Sequence, residues 1–133
     1  MSVIFFTLGD WGGTKLDDII NMKKIAEQMN MMAKMRKPKF IVTLGDNFYE
    51  YGVNSVFDKQ WNESWYNIFI NPYPAMSKIK WHATLGNHDY CGGYQSIESQ
   101  IQKSTISKNW YLPKENYFYR DENTNSYFIQ PKN

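Results

Sequence analysis

Three times in this sequence a short apolar run breaks at a glycine followed by an acid or amide, and a helical pattern comes next. Val3 to Leu8 ends at Gly9-Asp10-Trp11-Gly12-Gly13, Phe40 to Leu44 at Gly45-Asp46-Asn47-Phe48-Tyr49, and Trp81 to Leu85 at Gly86-Asn87-His88-Asp89-Tyr90. Near-continuous apolar runs mark strands covered on both faces. Strand, turn and helix repeated in this way predict a parallel sheet with right-handed helical crossovers. In such sheets ligands sit outside the carboxyl ends of the strands. The pattern therefore predicts an α/β fold that gathers Asp10, Asp46, Asn87 and His88 on one rim, although they lie far apart along the chain.

The helices between the runs read less uniformly. Leu16, Ile19, Ile20, Ile25, Ala26, Met29, Met32 and Ala33 fall at helical spacing and predict an amphipathic helix of about five turns. Asp17 and Asp18 open it, Lys34, Arg36 and Lys37 close it, and Pro38 stops it. Val56, Phe57, Trp61, Trp65, Ile68 and Phe69 mark a second helical face, and Ile97 and Ile101 a shorter helix around Ser96 to Ser104. Tyr117 to Tyr119 and Tyr127 to Ile129 flank the turn-rich Asp121-Glu122-Asn123-Thr124-Asn125, a β-hairpin pattern. With no internal repeat and no linker-like stretch, residues 1–133 read as one unit.

Composition removes several classes of function. Fifteen basic and thirteen acidic residues leave a net charge of +2, which does not point to nucleic acid. No apolar run is long enough to span a membrane, and Gly9-Asp10 interrupts the N-terminal run before a signal peptide would end. A cytoplasmic location is the default on those grounds, the compartment otherwise being open. The single cysteine, Cys91, excludes an internal disulfide framework and a cysteine-based zinc site.

Oxygen donors converging from three strand ends suit a hard cation. Asp46 can bridge two ions through its two carboxylate oxygens, with Asp10 on one and the amide oxygen of Asn87 on the other. Two ions about 3.5–4 Å apart form a clamp for phosphate-ester hydrolysis.

The three blocks resemble the first three metal-binding blocks of the calcineurin-like metallophosphoesterases, and more narrowly the small, tartrate-resistant type of purple acid phosphatase. Most metallophosphoesterases have a histidine two residues after the first aspartate, where this chain has Gly12. The purple acid phosphatases instead have a tyrosine three residues after the second aspartate, where this chain has Tyr49. Ile106 to Trp110 and Pro113 to Tyr119 are also similar to the small type, so the resemblance runs from about Val3 to Tyr119.

The resemblance implies a β-sandwich flanked by helices (αββα), of which this chain is the N-terminal half, truncated before most of the second sheet. It implies that Asp10, Asp46 and Tyr49 ligate Fe(III), and that Asp46 and Asn87 ligate a divalent partner, iron, zinc or manganese. It also implies that His88 hydrogen-bonds the phosphate or assists the leaving group; imidazole is the side chain that exchanges a proton near neutral pH. The family completes its site with three histidines from two later blocks, and no histidine follows His88 here. The implied reaction, phosphomonoester hydrolysis by a metal-bound hydroxide, is therefore expected of the intact family domain rather than at full strength of this chain alone. A C-terminal-half polypeptide is the partner this leaves open. The competing reading is a non-catalytic fragment that binds metal or phosphate. A nucleotide-binding module lacks both Gly-x-Gly-x-x-Gly and a P-loop lysine.

Other conspicuous residues have plainer readings. His82, mid-strand, reads as structural or surface, and Cys91 as a buried or inert thiol. Met22, Met29, Met31, Met32 and Met35 read as core with a few exposed members. Trp11 reads as packing or substrate rim, and Trp61, Trp65, Tyr66 and Phe69 as a buried helix face.

Overall fold

A computed structural model describes residues 2–130; Met1 and residues 131–133, the two ends of the expected 1–133 unit, lie outside the described residues. Four parallel strands form one sheet in the order β1 (Phe6–Leu8), β2 (Phe40–Thr43), β3 (Lys80–His82), β4 (Trp110–Tyr111). Phe6 pairs with Ile41, Ile41 with Trp81, and Trp81 with Trp110, so one register line crosses all four strands. β1 and β2 are the first two predicted runs, trimmed at their ends; β3 begins one residue before the predicted Trp81–Leu85 run and stops at His82. β4 has two residues and no apolar run of its own; it is held by neighbours, Trp81 N–H donating to Asn109 O at 2.6 Å and Ala83 N–H to Tyr111 O at 2.9 Å.

Helix α1 (Leu16–Arg36) begins where the carboxylate of Asp18 accepts the Lys15 N–H at 3.2 Å. It ends at Lys37, whose left-handed backbone (φ 50°) lets its N–H reach Ala33 O at 2.9 Å before Pro38. It packs through a narrow stripe, Met22, Ala26, Met29 and Ala33, and not through the broad apolar face expected from sequence. Leu16, Ile20, Ile25, Met31, Met32 and Met35 are exposed, so only two of the five methionines in the stripe are core.

The second helical face is also displaced. Val56 and Phe57 belong to a turn ordered by the Asp58 carboxylate, which accepts the N–H groups of Asn54 and Gln60 at 2.8 and 2.9 Å, and Phe57 is exposed. The helix proper is a π-helix, Trp61–Ile70, closed by Asn71 N–H on Tyr66 O at 2.8 Å. Its i→i+5 bonding opens the turn, and residues four apart, Trp61, Trp65 and Phe69, all reach the core. There they meet Trp11, Phe48, Trp81 and Trp110 with ring centroids 4.6–5.9 Å apart, edge to face. Most of the aromatic excess in the composition is this cluster. Trp11 is packing, not rim.

A short helix, α2 (Asn87–Cys91), and α3 (Gly93–Ile106) follow β3. Last comes the expected hairpin, β5 (Tyr117–Asp121) antiparallel to β6 (Ser126–Gln130). It lies on the sheet through Tyr119 and Phe128, whose rings are 5.4 and 4.8 Å from that of Phe40. The Lys39–Asp121 ion pair at 3.2 Å ties it down. The resulting mixed α/β architecture, a parallel sheet flanked by helices, is the one expected from sequence.

Candidate metal centre

Each of the first two strands delivers its aspartate through a left-handed residue: Asp10 and Asp46 both have φ 50°. An aspartate held there costs on the order of 1 kcal/mol or more, and such positions concentrate at functional sites. Gly45 (φ 98°) makes the second turn possible. Gly86 lets the third block approach the second, since a Cβ there would collide with the backbone nitrogen and carboxylate of Asp46.

The three carboxyl-end turns meet as the strand order requires. The Tyr49 hydroxyl lies 2.9 Å from Asp10 Oδ1 and 3.1 Å from Asp46 Oδ2. The other Asp46 oxygen accepts the His88 backbone N–H at 3.0 Å. The imidazole of His88 stacks at a tilt on Tyr49, centroids 4.3 Å apart, and its Nδ1 lies 2.9 Å from Glu50 O. A carbonyl only accepts, so Nδ1 carries the proton and Nε2 is the nitrogen left for other chemistry. Asn87 is exposed and lines, with Asp10 and Asp46, a recess of about 620 Å³. Asp10 also opens on a second recess of about 400 Å³, bounded by Thr14, Lys15 and Asp18 at the start of α1. All five predicted site residues are thus on one rim.

The electrostatics follow from crowding. Burial, then hydrogen bonds to Asp10 and Asp46 and the charges of both, push the Tyr49 phenol above its ordinary pKa. A phenol proton held between two carboxylates occupies the kind of position a hard cation takes. Three oxygen-bearing residues therefore fit an ion on the Asp10–Tyr49–Asp46 side, and Asp46 with Asn87 offers two oxygen donors for a neighbour. Among the described residues, no group of three or more His, Cys, Asp or Glu side chains is placed to hold an ion.

Sequence reasoning left the one acid of the third block, Asp89, without a role. Asp89 is fully buried and accepts four N–H groups: Gly86 at 2.9 Å and Asn47 at 3.1 Å on Oδ2, Gln100 Nε2 at 2.9 Å and Phe48 at 3.3 Å on Oδ1. Burial pushes its pKa up against the pull of those donors. The signal was present, an acid three residues after a turn glycine at a helix start. Two plainer readings are settled alongside. Cys91 is exposed on the wall of the larger recess, contrary to a buried thiol, because it ends α2 on the side facing Asn87. His82 is structural, buried against Phe40, Tyr111 and Tyr119, and burial, with Lys80 nearby, lowers its pKa to about 4.

Comparison with known proteins gives the family. Residues 5–131 match the calcineurin-like phosphoesterase family, and the chain belongs to it. It is 35% identical over 118 residues to rabbit (Oryctolagus cuniculus) tartrate-resistant acid phosphatase type 5, covering 87% of this chain and 34% of that protein. It is 33% identical over 109 residues to purple acid phosphatase 7 of Arabidopsis thaliana, covering 82% and 30%. Among solved structures it is similar to "GAP50 the anchor in the inner membrane complex of Plasmodium", with a TM-score of 0.71, 26% identity, and coverage of 88% of this chain and 36% of that one. The chain spans about a third of the length of the curated relatives it matches. The family implies a dinuclear metal site and a phosphate-ester substrate. No helix among the described residues is long and apolar enough to cross a membrane.

Proposed function

We propose that Asp10, Asp46, Tyr49, Asn87 and His88 form this chain's share of a dinuclear centre that hydrolyses phosphate monoesters. The observation that carries the reading is the Tyr49 hydroxyl held between Asp10 and Asp46, three oxygen-bearing residues from two strand ends within hydrogen-bond reach. In this reading Asp10, Asp46 and Tyr49 would hold Fe(III), and Asp46 and Asn87 would hold divalent iron, zinc or manganese. Bound cations supply Lewis-acid activation of water and neutralise charge that develops on the phosphoryl oxygens.

The remaining work falls to the protein. His88, its Nδ1–H directed at Glu50 O, offers Nε2 to the ester, and with Nε2 also protonated it gives that proton to the leaving-group oxygen and returns to the neutral ring. The His88 N–H bonds Oδ1 of Asp46 and holds its carboxylate in one orientation. The recess beside Asn87 and Cys91 takes the substrate.

The test is turnover. Protein loaded with iron and zinc hydrolyses an aryl phosphate at roughly pH 5–7, and Asp46→Ala abolishes it. Turnover that survives Asp46→Ala contradicts the proposal. The second reading, a non-catalytic role that retains metal or phosphate binding, is favoured by the similarity to a protein described as an anchor. Metal uptake without turnover would support it.

A further inference from the structure

We infer that Asp89 is a positioning residue whose carboxylate sets the separation between Asp46 and Asn87, and with it the spacing of the two metal positions. The inference rests on the proposed centre for its purpose but on the hydrogen bonds for its geometry. The turns after β2 and β3 clasp each other twice. Asp46, in the second block, accepts the backbone N–H of His88 in the third at 3.0 Å; Asp89, in the third, accepts the backbone N–H of Asn47 in the second at 3.1 Å. Each ligand-bearing turn therefore holds the other through the residue next to a ligand.

Asp89 is the stronger half of this clasp. Its Oδ2 takes Asn47 from one turn and Gly86 from the other, so a single oxygen fixes the distance between them. Its Oδ1 takes Phe48 and the side chain of Gln100, which anchors the pair to α3. Gln100 Oε1 in turn accepts from the Asn47 side chain at 3.2 Å, and Asn47 Oδ1 accepts from Trp11 Nε1 at 3.3 Å, which reaches the first turn beside Asp10. All of these groups are buried, where hydrogen bonds to a charged acceptor are strong and water does not compete. A neutral amide in place of Asp89 offers one acceptor oxygen and turns an N–H₂ toward N–H donors.

The experiment compares Asp89→Asn with Gln100→Met, which removes the donor to Asp89 and the acceptor for the Asn47 side chain but leaves the two backbone clasps intact. Each is checked for folding by circular dichroism. Two quantities are then read: the affinity for Zn²⁺ or Mn²⁺ by calorimetry, and the exchange rate of the His88 amide without metal. Asp89→Asn should weaken the metal affinity by about tenfold or more, in the range seen when groups that orient ligands are removed, and speed His88 exchange by a similar factor. Gln100→Met should leave both within about twofold even where it lowers the melting temperature. If the wild-type chain takes up no metal, the metal reading fails while the His88 exchange still decides the positioning. If Asp89→Asn does not fold, Asp89→Glu, which keeps both oxygens on a longer stem, is judged by the same two readouts. A folded Asp89 variant with unchanged His88 exchange overturns the inference.

Discussion

Asp46 Oδ1 accepts the backbone N–H of His88 at 3.0 Å, while Asp46 Oδ2 receives the Tyr49 hydroxyl at 3.1 Å. Both oxygens of the candidate bridging ligand are thereby oriented by residues of the same centre. The backbone of Asp46 is left-handed, a conformation asparagine shares readily, and an amide oxygen can still accept from His88. Asp46→Asn should therefore melt at or above the wild-type temperature yet lose metal uptake. Differential scanning calorimetry with and without Mn²⁺ checks it; a variant that keeps its metal-dependent stabilisation would contradict a ligand role for the charge.

The pH dependence of stability should carry the signature of His82. Its folded-state pKa is lowered from 6.5 to about 4. The unfolded chain therefore binds the proton first, and stability present above pH 6.5 is lost as pH falls toward 4. The 2.5-unit difference caps this loss at about 3 kcal/mol. In His82→Phe, which keeps a ring against Phe40, Tyr111 and Tyr119, denaturant titrations across that window should show a flatter slope than wild type by this amount. Equal slopes would place the acid sensitivity elsewhere.

Trp110 occupies the centre of the aromatic cluster. It is 1% exposed, touches Trp11, Phe48, Trp61 and Trp65, and donates its indole N–H to Gln100 O at 3.1 Å. Trp110→Ala should cost about 3–5 kcal/mol, a large share of the stability of a chain this size. Chemical denaturation measures it, and a loss under 1 kcal/mol, well below that range, would mean the cluster collapses around the gap.

How far the sequence carries depends on the scale of the signal. The three buried strands and their polar turns were legible because run length and glycine placement are local, and parallel pairing then collects Asp10, Asp46 and Asn87 with no further information. The long helix α1 was legible in extent but not in its buried face: apolar residues exceed the stripe that the sheet covers, and periodicity does not tell Ile25 from Met29. β4 was not legible, since two residues make no pattern and their pairing is imposed by β3. Asp89 stood in plain view inside the third block, but its role depends on two turns 40 residues apart meeting, as the contact between Asn47 and Asp89 (|i−j| = 42) shows.

Cys91 offers a reporter of the recess. Its thiol is exposed beside Asp46 and Asn87, so a thiol reagent should modify the folded protein once per chain. Mn²⁺ with inorganic phosphate should slow that reaction severalfold by filling the recess. Protection by phosphate alone or no protection at all would move the anion away from the metal positions.

The central claim is that Tyr49 joins Asp10 and Asp46 on one cation, and colour tests it most directly. The chain titrated with Fe(III) should develop the visible charge-transfer absorption of a tyrosinate bound to ferric iron, and Tyr49→Phe should take up iron without it. Iron bound with no visible band, or a band that survives Tyr49→Phe, would contradict the account.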